Sequence, residues 1–317
     1  MHLIAQLQTQ PCCTAKEGES EVNCKTACEP QACVTMPFYE CQEGIYEIDE
    51  FDCASIFVVV GEARALVIDT GIGIGDLKWL IENRITDKPY DVVLTHNHVD
   101  HMGGAAWFDR VYIHPDDMVQ TDTTASPTLA LRRSFAELFR VREHRHYLYD
   151  AERDIRPWPR QPVLVPLRDG QRFDLGGRTV TAYHCPGHTP GEMIFIDDRT
   201  RTLHCGDALN EFFLLSSHLA PTKEARAGIA AAGLARMKAL SDQYDRIYNF
   251  HHDYRGYGAP LADDVLDSVL ACLRQIQNGT ASYVEQPDPL SAKPKVQLSA
   301  RYGRIAISSL MGKINED

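Results

Sequence analysis

Thr95-His96-Asn97-His98-Val99-Asp100-His101 stands directly after an apolar run, Tyr90-Asp91-Val92-Val93-Leu94. Three imidazoles and a carboxylate packed this closely are costly to bury without a cation to hold them. Asp91 to Leu94 reads as a short buried strand, and His96 begins where that strand ends. A loop at a strand's end lets His96 and His98 converge on one ion, while Asp100 and His101 face a second. A histidine-rich surface loop is the plain alternative; the spacing favours metal.

The rest of the chain sets the context. Its 317 residues are enough for one large domain or two modest ones, and 44% hydrophobic with 24% charged residues is the balance of an ordinary soluble globular protein. A net charge of −12 weighs against wrapping nucleic acid, although bound cations would still admit an anionic substrate. No stretch approaches the roughly 18 apolar residues of a membrane span. The start, Met1 to Gln8, lacks the basic and long apolar segments of a secretory signal. The expectation is therefore a cytoplasmic protein with a small-molecule substrate and no nucleic-acid or membrane partner. Seven of the ten cysteines (Cys12, Cys13, Cys24, Cys28, Cys33, Cys41 and Cys53) fall in the first 53 residues. Cys24-x3-Cys28-x4-Cys33 departs from the usual Cys-x2-Cys knuckle. Residues 1–40 are read as a reduced, polar, cysteine-rich extension, with an added metal site or redox chemistry as the alternatives.

From Gly44 the pattern becomes strands: Ile45–Ile48, Ser55–Val60 and Ala65–Asp69, with a hairpin turn at Gly61-Glu62. Gly71-Ile72-Gly73-Ile74-Gly75 is a weak match to a dinucleotide fingerprint, because it lacks the third-glycine spacing. A helix is expected from Asp76, a short helix from Gly103, and a strand over Val111–His114. Residues 127–149 are helical and arginine-rich, and 115–165 reads as a helical insertion that either roofs a site or presents solvated basic side chains. Arginines 132, 133, 140, 142 and 145 are its candidates to meet an anionic group. Strands resume at Thr179–His184, Met193–Asp197 and Thr202–Cys205. Helices follow at about 222–240 and 261–277 around the strand Arg246–Phe250, and Arg304–Ser308 reads as a closing strand. Strands and helices in this order favour a sheet-on-sheet core with helices outside. Met237 and nearby apolar positions are the candidate face for a homodimer.

Further ligand-type residues stand at strand ends: Asp69, His188 in Pro186-Gly187-His188-Thr189-Pro190-Gly191-Glu192, Asp207 after Gly206, and His251 with His252 and Asp253 after Phe250. The succession His96-x-His98-x-Asp100-His101, Gly187-His188-Thr189-Pro190-Gly191, Gly206-Asp207 and a late strand-end histidine resembles the metallo-β-lactamase superfamily, in family order over residues about 44 to 310. The resemblance implies an α/β fold, the αβ/βα four-layer sandwich of that superfamily, over residues 41–317. It also implies two divalent metal ions at one edge. His96, His98 and His188 would bind the first; Asp100, His101 and the late histidine the second; Asp207 would bridge both. Asp69 would support the loops without being a ligand. The late ligand usually sits in a Gly-His-Gly turn, and here no glycine flanks it. Register with the preceding strand favours His251 over His252.

Imidazole nitrogen and carboxylate oxygen suit zinc first, and also iron or manganese. The reading is a hydrolase in which a hydroxide held by the metals attacks an ester, thioester, lactone or phosphodiester, with Asp100 as the catalytic residue that orients the nucleophile and passes on a proton. A mononuclear-iron persulfide dioxygenase is the alternative of another class. The residues Cys205, His184 and His204 are read as core, the two histidines hydrogen-bonded. His114 at the site rim, and Tyr254 and Tyr257 as substrate contacts, are set aside in favour of ordinary packing.

Overall fold

The computed structural model describes residues 34–118, 127–142, 149–288, 291 and 295–310. The chain divides into units Met1–Ala32 and Cys33–Asp317, and the described residues belong to the second. Cys12, Cys13, Cys24, Cys28 and Cys33, like Arg145, lie outside them. The fold begins earlier than the expected boundary at 41: Met36 is buried in the core, and strand β1 (Phe38–Gln42) crosses residue 40.

A seven-stranded sheet is laid down in chain order by β1, β2 (Ile45–Asp49), β3 (Ser55–Val60), β4 (Ala65–Ile68), β5 (Tyr90–Val93), β6 (Val111–Ile113) and β7 (Leu164–Pro166). The first four pair antiparallel; β4 to β7 pair parallel through helical crossovers. The sequence of β3, Ser-Ile-Phe-Val-Val-Val, is a near-continuous apolar run because both faces of this sheet are covered. A five-stranded sheet holds β8 (Arg172–Asp174), β9 (Thr179–His184), β10 (Met193–Asp197) and β11 (Thr202–His204). After β12 (Phe212–Ser216), β13 (Arg246–Tyr248) joins it parallel to β11. The closing strand expected over Arg304–Ser308 is β16 (Ile305–Leu310), but the sequence reading missed the third sheet of four strands it belongs to, in which β12 pairs with β16, then β15 (Val296–Tyr302), then β14 (Ser282–Pro287).

The two larger sheets face each other across Phe57, Val59, Ile68, Phe195, Tyr248 and Phe250. On the outer face of the first lie α1 (Leu77–Leu80), α2 (Val99–Met102), α3 (Pro115–Met118), α4 (Leu129–Arg142) and α5 (Ala151–Asp154). On the other side, α6 (Lys223–Ala239) and α7 (Val265–Gln277) bury Leu234, Met237, Val269 and Leu273 against the second and third sheets. The result is the α/β four-layer sandwich.

Three readings change. The described residues of the 115–165 segment join the outer helical layer: Leu131, Phe135 and Phe139 of α4 are buried there. Arg132 is fully buried and donates to the carbonyls of Ile72 (2.6 Å), Arg156 (2.9 Å) and Gly73 (3.2 Å), while Arg133 pairs with Glu152 and Arg140 with Glu137. The glycine-rich stretch cradles an internal carboxyl group: Glu50 accepts from the backbone N–H of Ile72 (2.6 Å), Gly73 (2.8 Å) and Ile74 (2.8 Å). Gly71 has no room for a Cβ, which would sit 2.3 Å from that carboxylate. Met237 is fully buried and cannot form a dimer face. Among the described residues no helix is long and apolar enough to cross a membrane.

Candidate metal centre

The strand ends of both sheets deliver the donors. His96 follows β5 directly. His98 caps α2 with extended backbone (φ −70°, ψ 157°), and Asp100 and His101 lie in that helix's single turn. This helix, which the sequence reading did not include, starts at Val99 inside the histidine cluster, and the N–H groups of Met102 and Gly103 close it onto His98 and Val99; the short helix expected from Gly103 follows as a 3-10 turn over Ala105–Trp107. His188 sits in the turn before β10, Asp207 just after β11, and His251 beyond β13. Gly206 is required beside Asp207: its φ is +55°, and a Cβ there would lie 2.6 Å from Glu192 Oε1 and 2.7 Å from Thr95 Cβ.

These side chains converge. His98 Nδ1 is 3.1 Å from His96 Nε2 and 2.7 Å from His188 Nε2. Asp207 Oδ2 lies 3.5 Å from His188 Nε2, 3.8 Å from His101 Nε2 and 3.2 Å from His251 Nε2. Asp100 Oδ2 is 3.7 Å from both His101 Nε2 and His251 Nε2. Three overlapping donor sets result: His96 with His98 and His188; His96 with His101 and Asp207; Asp100 with His101 and His251. His101 Nε2 and Asp207 Oδ1 are buried with no hydrogen-bond partner among the described residues. Two unpartnered polar atoms at the meeting point of so many lone pairs fit a cation-binding site.

A buried scaffold aims the rings. Asp69 at the end of β4 (φ +66°) accepts from Thr95 N, Thr95 Oγ1 and His101 Nδ1, each at 2.7 Å. With its proton committed to Asp69, Thr95 Oγ1 is the acceptor for His96 Nδ1 at 2.9 Å. Both rings thus turn Nε2 toward the centre, the supporting role expected of Asp69. His188 Nδ1 donates to Leu214 O at 3.0 Å. Burial, then the neighbouring imidazoles, hold His96 well below its usual range, and burial with the His98 charge takes His188 down to about 3. A neutral imidazole is the ligating form. For His101, burial acts downward but is outweighed by Asp100, Asp69 and Asp207, which push it up to about 10. Burial alone would raise Asp207; His251 and His101 hold it well below the ordinary carboxylate range.

Sequence reasoning passed over two carboxylates. Glu192 is fully buried, accepts from Asp207 N at 3.1 Å, and lies 3.5 Å from His96 Nδ1. Its signal was a glutamate opening the buried strand β10. Asp117 on α3 accepts from Thr189 Oγ1 (2.6 Å) and Gly191 N (2.8 Å), bracing the turn that carries His188. No local pattern announces that contact.

Of the two late histidines, His251 joins the centre. His252 turns away to Asp49 (3.1 Å) and Asp52 (3.0 Å). Cys205 is core, as read. His204 is core, but neither ring nitrogen has a hydrogen-bond partner among the described residues, contrary to expectation. His184 is half-buried, bonded to Pro190 O at 2.8 Å, and stacks on His114 with centroids 4.2 Å apart and planes 3° apart. Tyr257 bonds the carbonyls of Pro37 (3.4 Å) and Glu47 (3.3 Å), while the Tyr254 ring lies 6.5 Å edge-on from His251.

Fold and site define a class, and comparison with known proteins states it directly. The chain belongs to the metallo-beta-lactamase superfamily, whose family model matches residues 49–264. Among curated relatives, human acyl-coenzyme A thioesterase MBLAC2 is 31% identical over 193 residues, 55% of this chain and 64% of that protein. Atrochrysone carboxyl ACP thioesterase dmxR1 of Cryptosporiopsis sp. is 28% identical over 154 residues, 48% of this chain and 37% of that protein. The chain thus spans less than two thirds of either relative. Among solved structures, the Rm3 metallo-beta-lactamase superposes with a TM-score of 0.51 at 15% identity over 80% of this chain and 97% of that one. A Cronobacter sakazakii metallo-beta-lactamase gives 0.50 at 18% identity over 79% and 96%. These two likenesses establish the fold.

Proposed function

We propose that the protein is a metal-dependent hydrolase whose substrate is an acyl thioester. The observation that carries the reading is the convergence of His96, His98, Asp100, His101, His188, Asp207 and His251 around unpartnered His101 Nε2 and Asp207 Oδ1. Of the bond types that the motifs leave open, the thioester is favoured by the names of the two thioesterase relatives. His96, His98 and His188 would hold one divalent cation, Asp100, His101 and His251 a second, and Asp207 both. When bound, such cations, zinc first by donor chemistry, supply Lewis acidity and a nucleophilic water at neutral pH.

The chain's own residues do the remaining work. Asp69, Thr95 and Glu192 fix the donor rings and the Asp207 backbone. Asp100 is the catalytic carboxylate: it orients the attacking water, takes its proton and returns one to the departing sulfur. Water adds to the thioester carbonyl carbon, the C–S bond breaks, and carboxylic acid and thiol leave. A thiol's ordinary pKa of about 8.5 makes the sulfur an undemanding leaving group, so one weakly basic carboxylate suffices. A mononuclear-iron dioxygenase would leave Asp100, His101 and His251 without a ligand role, and their convergence supports the hydrolase.

The test is thiol release from acyl-coenzyme A by the full chain loaded with Zn²⁺ or Mn²⁺, beside lactone and phosphodiester panels. Asp207→Ala should lower thioester turnover about 100-fold or more. Unchanged turnover in that variant sinks the mechanism. One tightly held iron, with oxygen uptake on glutathione persulfide, replaces it with the oxidoreductase.

A further inference from the structure

His251 reaches the centre from a segment with little to hold it. Strand β13 ends at Tyr248, and residues His252–Tyr254 form one 3-10 turn. No glycine bends the chain around the ligand. A second turn, between β2 and β3, supplies the restraint. Ser55 N donates to Phe250 O at 2.7 Å. His252 Nε2 lies 3.1 Å from Asp49 Oδ1 and 3.0 Å from Asp52 Oδ1, all three largely buried. Below it Arg255 donates to Asn249 O at 3.0 Å and pairs with buried Glu47.

That second turn has an uncommon backbone. Phe51 and Asp52 are consecutive non-glycine residues in the left-handed region, φ 56° and 62°. Such conformations are strained for residues with a Cβ and cluster where the surrounding structure needs them. Here the double left-handed bend is closed by Glu50 N to Ala54 O (2.9 Å) and Cys53 N to Glu50 O (3.0 Å). It brings two carboxylates three residues apart onto one imidazole, and Asp52 N itself donates to Asp49 Oδ1 at 2.7 Å.

We propose that His252, clamped between Asp49 and Asp52, is a positioning residue that holds His251 against the second cation, replacing the glycine-bracketed turn this chain lacks. The inference rests on the two-cation reading above. The other side of the centre has supports of its own: Thr95 and Glu192 flank His96, and Leu214 O accepts from His188.

The experiment is titration of Zn²⁺ into the metal-stripped full chain with a competing chelator, for wild type, His252→Ala, His252→Gln and Asp52→Asn. Asparagine tolerates the left-handed backbone and leaves Asp49 on His252, so that variant keeps the fold. Two zinc ions per wild-type chain are expected, with the weaker one losing about 10- to 100-fold in affinity in His252→Ala. The loss should be smaller in His252→Gln and Asp52→Asn, and the tighter ion should be unchanged throughout. A lowered melting temperature with both affinities intact makes His252 merely structural and overturns the proposal. A third wild-type ion lost in Asp52→Asn overturns it differently, making Asp49, Asp52 and His252 ligands. Fewer than two ions on the wild type defeats the two-cation reading itself, and the clamp with it.

Discussion

His204 lies between the two large sheets with Phe57 4.6 Å away ring to ring and both its nitrogens unpartnered among the described residues. Burial takes its pKa from 6.5 down to about 3, Asp197 opposing and the Arg255 and Arg178 charges assisting. The unfolded chain therefore takes up a proton below about 6.5 that the folded chain refuses until about 3. Stability held above pH 6.5 is lost as pH falls through that window, by about 2 kcal/mol at pH 5. His204→Leu removes this sensitivity, so calorimetry should show its melting temperature gaining about 4 °C more over wild type at pH 5 than at pH 8. An equal shift at both values contradicts the argument. His204 also marks where residue-level reading stops: a histidine in a strand looks core, but whether it finds a partner depends on the facing sheet. The candidate metal donors were legible because short motifs hold them, and Asp69 because it ends a strand. Glu192 was written in the same turn as His188, yet its contact with Asp207 N needs two loops that only the fold brings together.

At the scale of elements, α3 is four residues long and still decides how the His188 turn sits. Asp117→Ala strips the buried Gly191 N–H of its acceptor and leaves the Thr189 hydroxyl only its long contact to Glu192 Oε2 at 3.4 Å, which should cost about 1–3 kcal/mol in denaturant unfolding. Chelator competition should also show the His96–His98–His188 ion weakened about 10-fold, the His251 side keeping its affinity. Loss of stability with no change in either affinity would reduce Asp117 to packing. Helices were the most legible elements. The patterns at 127–149, 222–240 and 261–277 contain α4, α6 and α7, since each lays an apolar stripe on a sheet. The third sheet was not legible. Strand β14 is exposed along most of its length, so no alternation marks it, and its partner β15 carries Val296 and Leu298 at 63% exposure. Strand β12, Phe-Phe-Leu-Leu-Ser, is a short apolar run that periodicity cannot assign; its parallel pairing with the distant β16 settles it.

For the whole molecule, the centre is a staple across the sandwich. His96, His98, Asp100 and His101 come from the first sheet's loops, and His188, Asp207 and His251 from those of the second and β13. The same geometry packs five imidazoles and two carboxylates together, with two buried polar atoms unpartnered among the described residues. On the proposed reading, bound cations would stabilise the joint between halves that otherwise meet through the apolar layer of Phe57, Phe195 and Phe250. Linkage gives the size: a cation at 1,000 times its dissociation constant adds about 4.1 kcal/mol. In a domain of this length that is about 8 °C of melting temperature per site. Stripping the full chain with a chelator should therefore lower its thermal midpoint by about 8–16 °C, and added Zn²⁺ should restore it along a curve that rises with the logarithm of free metal. Asp207→Ala, which removes the carboxylate proposed to hold both cations, should flatten that curve and also lower the chelated midpoint, because the negative charge that offsets His251 and His101 has gone. A metal-independent midpoint in the wild type would mean that the donors meet as an ordinary buried polar network, and the catalytic reading would lose its foundation.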